Sequence, residues 1–319
     1  MSMSPRAFPV CACLLACLAM LGACGDNRAA TPRVASNNWP GYWPLYLAVR
    51  QAPEPIAHLT ELRSATAVMR AFRNGAIDIA ALTLDEALVL AAEGLEVCVF
   101  LVVDVSDGGD ALLARPSIES VAALAGHRIG VEASAVGAYL LSRIYDETAL
   151  EAGAPTIVEI PVSDHARAFA NGEVDAVITF DPTRAQLVAD GARELFSSRR
   201  IPGEIVDVLV ARPAYLARHR DAVVRLVRAW QRASRAIVEE RDAAFAALSG
   251  FVQGDRSRLD AALAGIVFPS VDAQRALLDG ELAAVAMRLG EVMRRHDLIA
   301  APPSGRFDVE AAIFEAASR

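Results

Sequence analysis

Short apolar runs alternate with longer amphipathic stretches along this chain, and the rhythm changes once, near Pro213. Upstream of that point, Arg33-Val34-Ala35-Ser36 predicts a first strand, residues 45–51 a helix and 56–62 a second strand. Residues 128–131, 135–145 and 156–160 repeat the same order of strand, helix and strand. Downstream, Val223, Leu226, Val227, Trp230 and Ile237 recur at helical spacing, as do Leu278, Leu282, Val285 and Leu289. The end of the chain is therefore predicted as helices that each bury one face.

The order recurs because the sequence contains itself. Residues 71–116 and 168–213 align without a gap at a constant offset of 97, and 13 of the 46 positions are identical. Each block opens with Phe-x-Asn-Gly-x-Ile/Val-Asp, from Phe72 to Asp78 and from Phe169 to Asp175. Each closes with Asp-x-Leu-x-Ala-Arg-Pro, from Asp110 to Pro116 and from Asp207 to Pro213. A glycine after asparagine can end a helix in the left-handed conformation and turn the chain straight into a strand. The apolar runs 77–82 and 174–179 suit parallel sheets covered on both faces, with Asp78 and Asp175 as strand-entry residues. A unit this long is no solenoid period, which runs to roughly 20 to 50 residues. It predicts two similar α/β lobes of parallel strands, the first from residues 33–113 with 207–319 and the second from 114–206. The matching Asp-x-Leu-x-Ala-Arg-Pro stretches are the expected crossings between them.

The amino terminus carries an address. Arg6 is the only charged residue before Asp26, and 7–23 is mostly apolar but shorter than the roughly 20 residues that cross a bilayer. Residues 1–23 read as an export signal and 24–32 as a tether. Leu21-Gly22-Ala23-Cys24 resembles the bacterial lipobox, which implies that Cys24 is lipidated and anchors the mature protein; an ordinary secretory signal cleaved near Ala23 is the alternative. Cys11, Cys13 and Cys17 leave with the signal, so only Cys98 remains in the folded body and a mature monomer has no internal disulfide. Cys98 reads as a small buried hydrophobe.

Hydrophobic residues make up 54% of the 319, enough for a large core or two. The formal charge of −8 becomes −9 when Arg6 leaves with the signal. Such acidity speaks against nucleic acid and against a polybasic membrane patch. His58, His127, His165, His219 and His296 lack metal-ligand spacing and read mostly as surface or capping residues. No catalytic signature, metal site or cofactor is predicted.

The chain resembles the bilobal solute-binding proteins of bacterial ABC importers, in the branch that includes nitrate, sulfonate, taurine and thiamine-precursor binders. The resemblance rests on Trp39-Pro40-Gly41-Tyr42-Trp43-Pro44-Leu45-Tyr46-Leu47-Ala48, on the Phe-x-Asn-Gly-x-Ile-Asp blocks, on Gly130-Val131-Glu132-Ala133-Ser134 and on 201–207. It implies a type II periplasmic-binding-protein fold: two similar α/β lobes, two crossings and a helical C-terminal region. It also implies a small-molecule solute, an ABC permease as partner, and a place at the cell envelope. A ligand-binding sensor subunit or an envelope enzyme on the same fold is the alternative.

In open α/β sheets ligands bind at the carboxyl ends of strands, and two facing lobes make a cleft closed by hinge motion. The candidate ligand-binding residues are those on such loops. Trp39, Tyr42 and Trp43 offer rings that stack or cage a cation, although each can equally plug a core gap. Ser134, after a strand, caps a helix or binds a ligand, and Tyr139 sits 97 residues after Tyr42. Asp85, Ser106, Asp107, Glu132 and Asp181 complete the set, with Glu204 nearby and capping the favoured role for Asp85 and Asp181. These loops carry no basic residue, although Arg184 lies close. A planar or cationic nitrogenous solute fits them better than nitrate, sulfonate or phosphate.

Overall fold

The computed structural model describes residues 31–134, 136–148, 150–151, 153–248, 256–301 and 306–319; the signal, Cys24 and most of the tether lie outside the described residues. Its strands are β1 (Arg33–Ser36), β2 (His58–Glu61), β3 (Ile79–Thr83), β4 (Val97–Ser106), β5 (Asp110–Ala114), β6 (Arg128–Val131), β7 (Thr156–Glu159), β8 (Ala176–Phe180), β9 (Arg193–Ser197), β10 (Val206–Ala211), β11 (Ile266–Val267) and β12 (Phe307–Val309). One sheet has the order β11-β4-β10-β3-β1-β2 with β12 also on β4, and the other β7-β6-β8-β5-β9. Helices cover both, in the mixed α/β bilobal architecture with a helical C-terminal region.

The offset of 97 survives in three dimensions. β8 begins and ends 97 residues after β3, and Asp207 in β10 lies 97 after Asp110, which opens β5. The repeats are nevertheless exchanged. β5 belongs to the second sheet, antiparallel to β8 and β9, whereas β10 returns to the first, antiparallel to β3 and β4. The expectation of crossings at Asp110–Arg115 and Asp207–Arg212, and of a first lobe running to residue 113, is thus corrected: the chain changes sheets at 107–109 and again at 198–205. Purely parallel sheets are corrected too. A strand that has just crossed starts at the end where its new neighbour finishes, so it runs antiparallel.

This exchange explains the shared motifs. Arg115, just after β5, donates to the carbonyl of Phe169 (2.8 Å) and lies 5.1 Å over the Phe169 ring. Arg212, just after β10, donates to the carbonyl of Phe72 (2.7 Å) and lies 4.5 Å over its ring. Each block's closing arginine therefore clamps the helix that opens the other block. The strand-entry aspartates are matched in the same way. Asp78 accepts from the backbone and guanidinium of Arg33 at 2.7–3.0 Å, and Asp175 accepts from the same groups of Arg128 at 2.9–3.1 Å. The turns between helix and strand use Gly75 and Gly172 at φ 68° and 74°, where only glycine is unstrained.

The C-terminal helices pack as the spacing predicts. Arg220–Glu239 buries Val223, Leu226, Val227, Trp230 and Ile237, and lies against Trp43–Gln51. Leu282–Arg295 buries Leu282, Val285 and Leu289, while Leu278 falls in a wide turn, Leu277–Glu281, that contains Gly280 at φ 145°. Cys98 is buried, and burial pushes its thiol up to about 12. No described helix is long and apolar enough to cross a membrane.

Candidate functional site

The loops at the ends of β1, β3, β4, β6 and β8 meet between the two sheets. A small cavity there is lined from the first lobe by Trp39, Tyr42, Thr83 and Asp207 and from the second by Asp110 and Phe180. A second, sharing Asp110 and Phe180, reaches Glu132, Thr179 and His165. Each holds about 10 Å³ of free volume, room for about one water.

The surrounding chemistry is acidic and buried. Asp85, Glu86, Asp104, Asp110, Asp181 and Asp207 are all buried. Burial pushes Asp104 up to about 8, with the charge of Asp110 adding to it, and Asp110 up to about 7, with the charge of Asp85 adding to it. It raises Asp181 to about 7 against the pull of Arg184, and Asp85 to about 6. Glu86 and Asp207 are driven well above the carboxylate range, first by burial and then by the charges of Asp85 and Asp104 respectively. Among the described residues, Arg184 is the one guanidinium paired with any of these six, 3.6 Å from Asp181. Several acceptors have no hydrogen-bond partner: Oδ1 of Asp85, Oδ2 of Asp181 and the hydroxyl of Thr179. A buried polar atom without a partner costs free energy that a ligand able to donate recovers.

Aromatic rings wall this cluster. Asn37 Oδ1 accepts from the backbone of Trp39 (3.0 Å) and fixes the loop, so that Trp39 Nε1 donates to Asp104 at 3.1 and 3.3 Å. The Trp39 ring meets Phe180 of the other lobe edge-on, with centroids 5.7 Å apart. The Tyr42 hydroxyl donates to Asp207. Gly41 allows this arrangement, because a Cβ there would collide with the Asp104 carboxylate and with Trp39 Nε1.

The other sequence candidates divide: Glu132 lines one of the cavities, Asp181 belongs to the buried acid cluster, and the rest line neither cavity. Trp43 packs edge-on against Phe245, centroids 6.1 Å apart, in the core of the first lobe. Tyr139 is buried and donates to Glu204 (2.7 Å), which Arg143 also grips at 2.7 Å, so it ties a helix to the return crossing. Ser106 shares a hydrogen bond with Ser198 (2.9 Å) and accepts from the backbone of Asp110, binding one crossing to the other. Asp107 is exposed, 3.9 Å from Arg199. Ser134 is exposed and bonds Thr66 across the lobes at 2.7 Å, beside Glu132, which accepts from Thr66 as well. Asp181 accepts from the backbone of Ala185 (2.9 Å) at a helix start, with its second oxygen in the cleft cluster.

Sequence reasoning missed Glu86, Asp104, Asp110, Asp207, Phe180 and His165. His165 is not a surface residue: it is buried, 3.0 Å from the Ile160 carbonyl, and burial lowers its pKa. Two signals were available. Asp104 interrupts the apolar run of β4, and Asp110 and Asp207 open the two matching motifs.

Residues 53–249, well over half of the chain, match the NMT1-like family. The chain belongs to the NMT1-like family. In fold this NMT1-like protein is similar to the ligand-binding component of an ABC-type import system from Staphylococcus aureus, solved with zinc bound (16% identity, TM-score 0.75, covering 90% of this chain and 99% of that one). It is also similar to the alkanesulfonate-binding protein SsuA from Xanthomonas axonopodis pv. citri bound to MOPS (18%, 0.70, 86% and 97%) and to the aliphatic sulphonate-binding SsuA from Escherichia coli (17%, 0.67, 85% and 94%). No curated protein matches the chain in sequence. Among the described residues, no group of three or more His, Cys, Asp or Glu side chains is placed to hold a metal ion.

Proposed function

We propose that this NMT1-like protein is the solute-binding subunit of an ABC importer, exported by residues 1–23 and anchored at the cell envelope through lipid on Cys24. Its cleft takes a small solute that carries a protonated nitrogen and a flat face. The observation behind this reading is the buried carboxyl cluster: Asp85, Glu86, Asp104 and Asp207 come from one lobe, Asp110 and Asp181 from the other, and Arg184 is their one paired guanidinium among the described residues. The names of the similar structures support the transport role, but a bare anion such as a sulfonate would meet buried acids, of which Asp85 ionises at about 6 and Asp110 and Asp181 at about 7, with one guanidinium paired among them. A cation about 4 Å from Asp85, which ionises at about 6, gains roughly 4 kcal/mol at an effective dielectric constant of about 20. The rings of Trp39, Tyr42 and Phe180 add stacking or cation–π attraction.

The free volume beside these groups admits no solute of several heavy atoms while the lobes are together. Loading therefore requires them to part. The crossings 107–109 and 198–205 are the hinge, linked to each other by Ser106–Ser198 and by the Gly108 N–H to Ser198 (2.6 Å). On closure the solute's donors meet Oδ1 of Asp85 and Oδ2 of Asp181, which accept no hydrogen bond, and the closed protein is what the permease receives. The test is a thermal-shift screen of amines, amidines and nitrogen heterocycles against nitrate, sulfate and alkyl sulfonates, because a ligand of the folded state raises stability by RT ln(1 + [L]/Kd). Stabilisation confined to the cationic set is expected; stabilisation confined to the anions would overturn the reading of the cleft.

A further inference from the structure

Glu132 follows β6 in the second lobe, yet its Oε1 serves the first. It accepts from the backbone N–H of Thr66 (2.9 Å) and from the Thr66 hydroxyl, while Oε2 accepts from Val162 in its own lobe (3.4 Å). Thr66 stands in the first turn of the helix Ala65–Arg73, whose preceding residue Ser64 accepts from Ala67. The opening turn of a helix has N–H groups without intrahelical partners and a dipole that favours negative charge. One lobe thus delivers a carboxyl group to the place on the other where an anion would be held.

The tie is returned. Glu86 of the first lobe accepts from the N–H of Val136 (3.2 Å), the first residue of the helix Val136–Glu147 in the second lobe, and from Thr83 in its own (3.0 Å). At each of these two helix starts, an N–H that an anionic solute could use is taken by a carboxyl group of the other lobe.

We propose that Glu132 is a built-in anion of the cleft, which draws the lobes together in the absence of solute and keeps anionic solutes from the first turn of Ala65–Arg73. The exclusion of anions rests on the cleft being the solute site; the bridge itself does not.

Hydrogen–deuterium exchange of the purified full-length protein tests this, read at the peptides that contain residues 66 and 136. In wild type both amides are protected without solute, and acetate changes neither. Glu132→Ala is expected to speed exchange at both positions about tenfold or more, as loss of a charge-assisted bond implies, and millimolar acetate should restore protection by refilling the vacated position. Glu132→Gln keeps the volume, guards against simple misfolding, and should exchange several-fold faster than wild type without responding to acetate. The tie of Asp146 to Arg295 (3.0 Å) and His296 (2.8 Å) remains in every variant and does not account for a difference. Unchanged exchange at residue 136 in Glu132→Ala, a change that acetate does not reverse, or an acetate response in wild type would each overturn the proposal. Failure of cationic compounds to stabilise the wild type would instead sink the cation reading and leave this bridge in place.

Discussion

Replacing Asp110 by asparagine isolates the cost of the buried acid cluster. Asp110 ionises at about 7 in the folded protein, against roughly 4 in an unfolded chain. Between those values the folded state keeps a proton that the unfolded state has lost. Its contribution to stability is therefore complete below about pH 4 and fades as the pH rises through about 7. The interval corresponds to at most about 4 kcal/mol lost by pH 8, and relaxation around the charge makes the observed loss smaller. Asparagine has nearly the same shape and cannot ionise. The variant should match wild type closely at pH 4 and exceed it by about 1–4 kcal/mol at pH 8, and the ease should extend to Asp104, whose carboxyl feels the charge of Asp110. Denaturant unfolding at pH 4, 6 and 8 measures this. Wild-type stability that holds level or rises between pH 6 and 8, or an Asp110→Asn variant with the wild-type slope, would refute the reasoning.

Trp39→Ala should weaken solute binding by about 1–3 kcal/mol in isothermal titration, by analogy with bases stacked on aromatic side chains; equal affinities would remove Trp39 from the site. Gly41→Ala should destabilise the protein by about 1–3 kcal/mol, since the new Cβ displaces Asp104 and the Trp39 indole, and a melting temperature like that of wild type would contradict the tight fit. Arg212→Ala, which removes the hydrogen bond to Phe72 and the contact over its ring, should cost about 2 kcal/mol in chemical denaturation, whereas a cost near zero would mean that the clamp is ornamental. Cys24→Ala should move the protein from the membrane fraction to the soluble one, and full retention in membranes would place the anchor elsewhere.

The repeat made the two lobes legible, because glycine turns, apolar runs and a constant offset are local features of the chain. Which lobe each closing strand joins was not legible: Asp-x-Leu-x-Ala-Arg-Pro reads the same in either sheet, and only the pairing of β5 with β8 and of β10 with β3 reveals the exchange. The aromatic loop was visible as a feature, but sequence does not separate Trp39, which faces Asp104 and Phe180, from Trp43, which meets Phe245. Acidic character in the cleft was visible as well. Its centre of gravity was not, since Asp104 and Asp207 lie within strands, where a short polar interruption of an apolar run looks like an edge position rather than a buried acid. Exposed residues drew attention instead, Asp107 among them.

The most direct test is mass spectrometry of the small molecule released from protein purified under native conditions, with its affinity then measured on wild type and on Asp110→Asn. A compound with a protonated nitrogen and a flat face, bound more weakly by the variant, is expected. A sulfonate, nitrate or other anion that is released from the cleft and rebinds tightly to wild type would contradict that expectation.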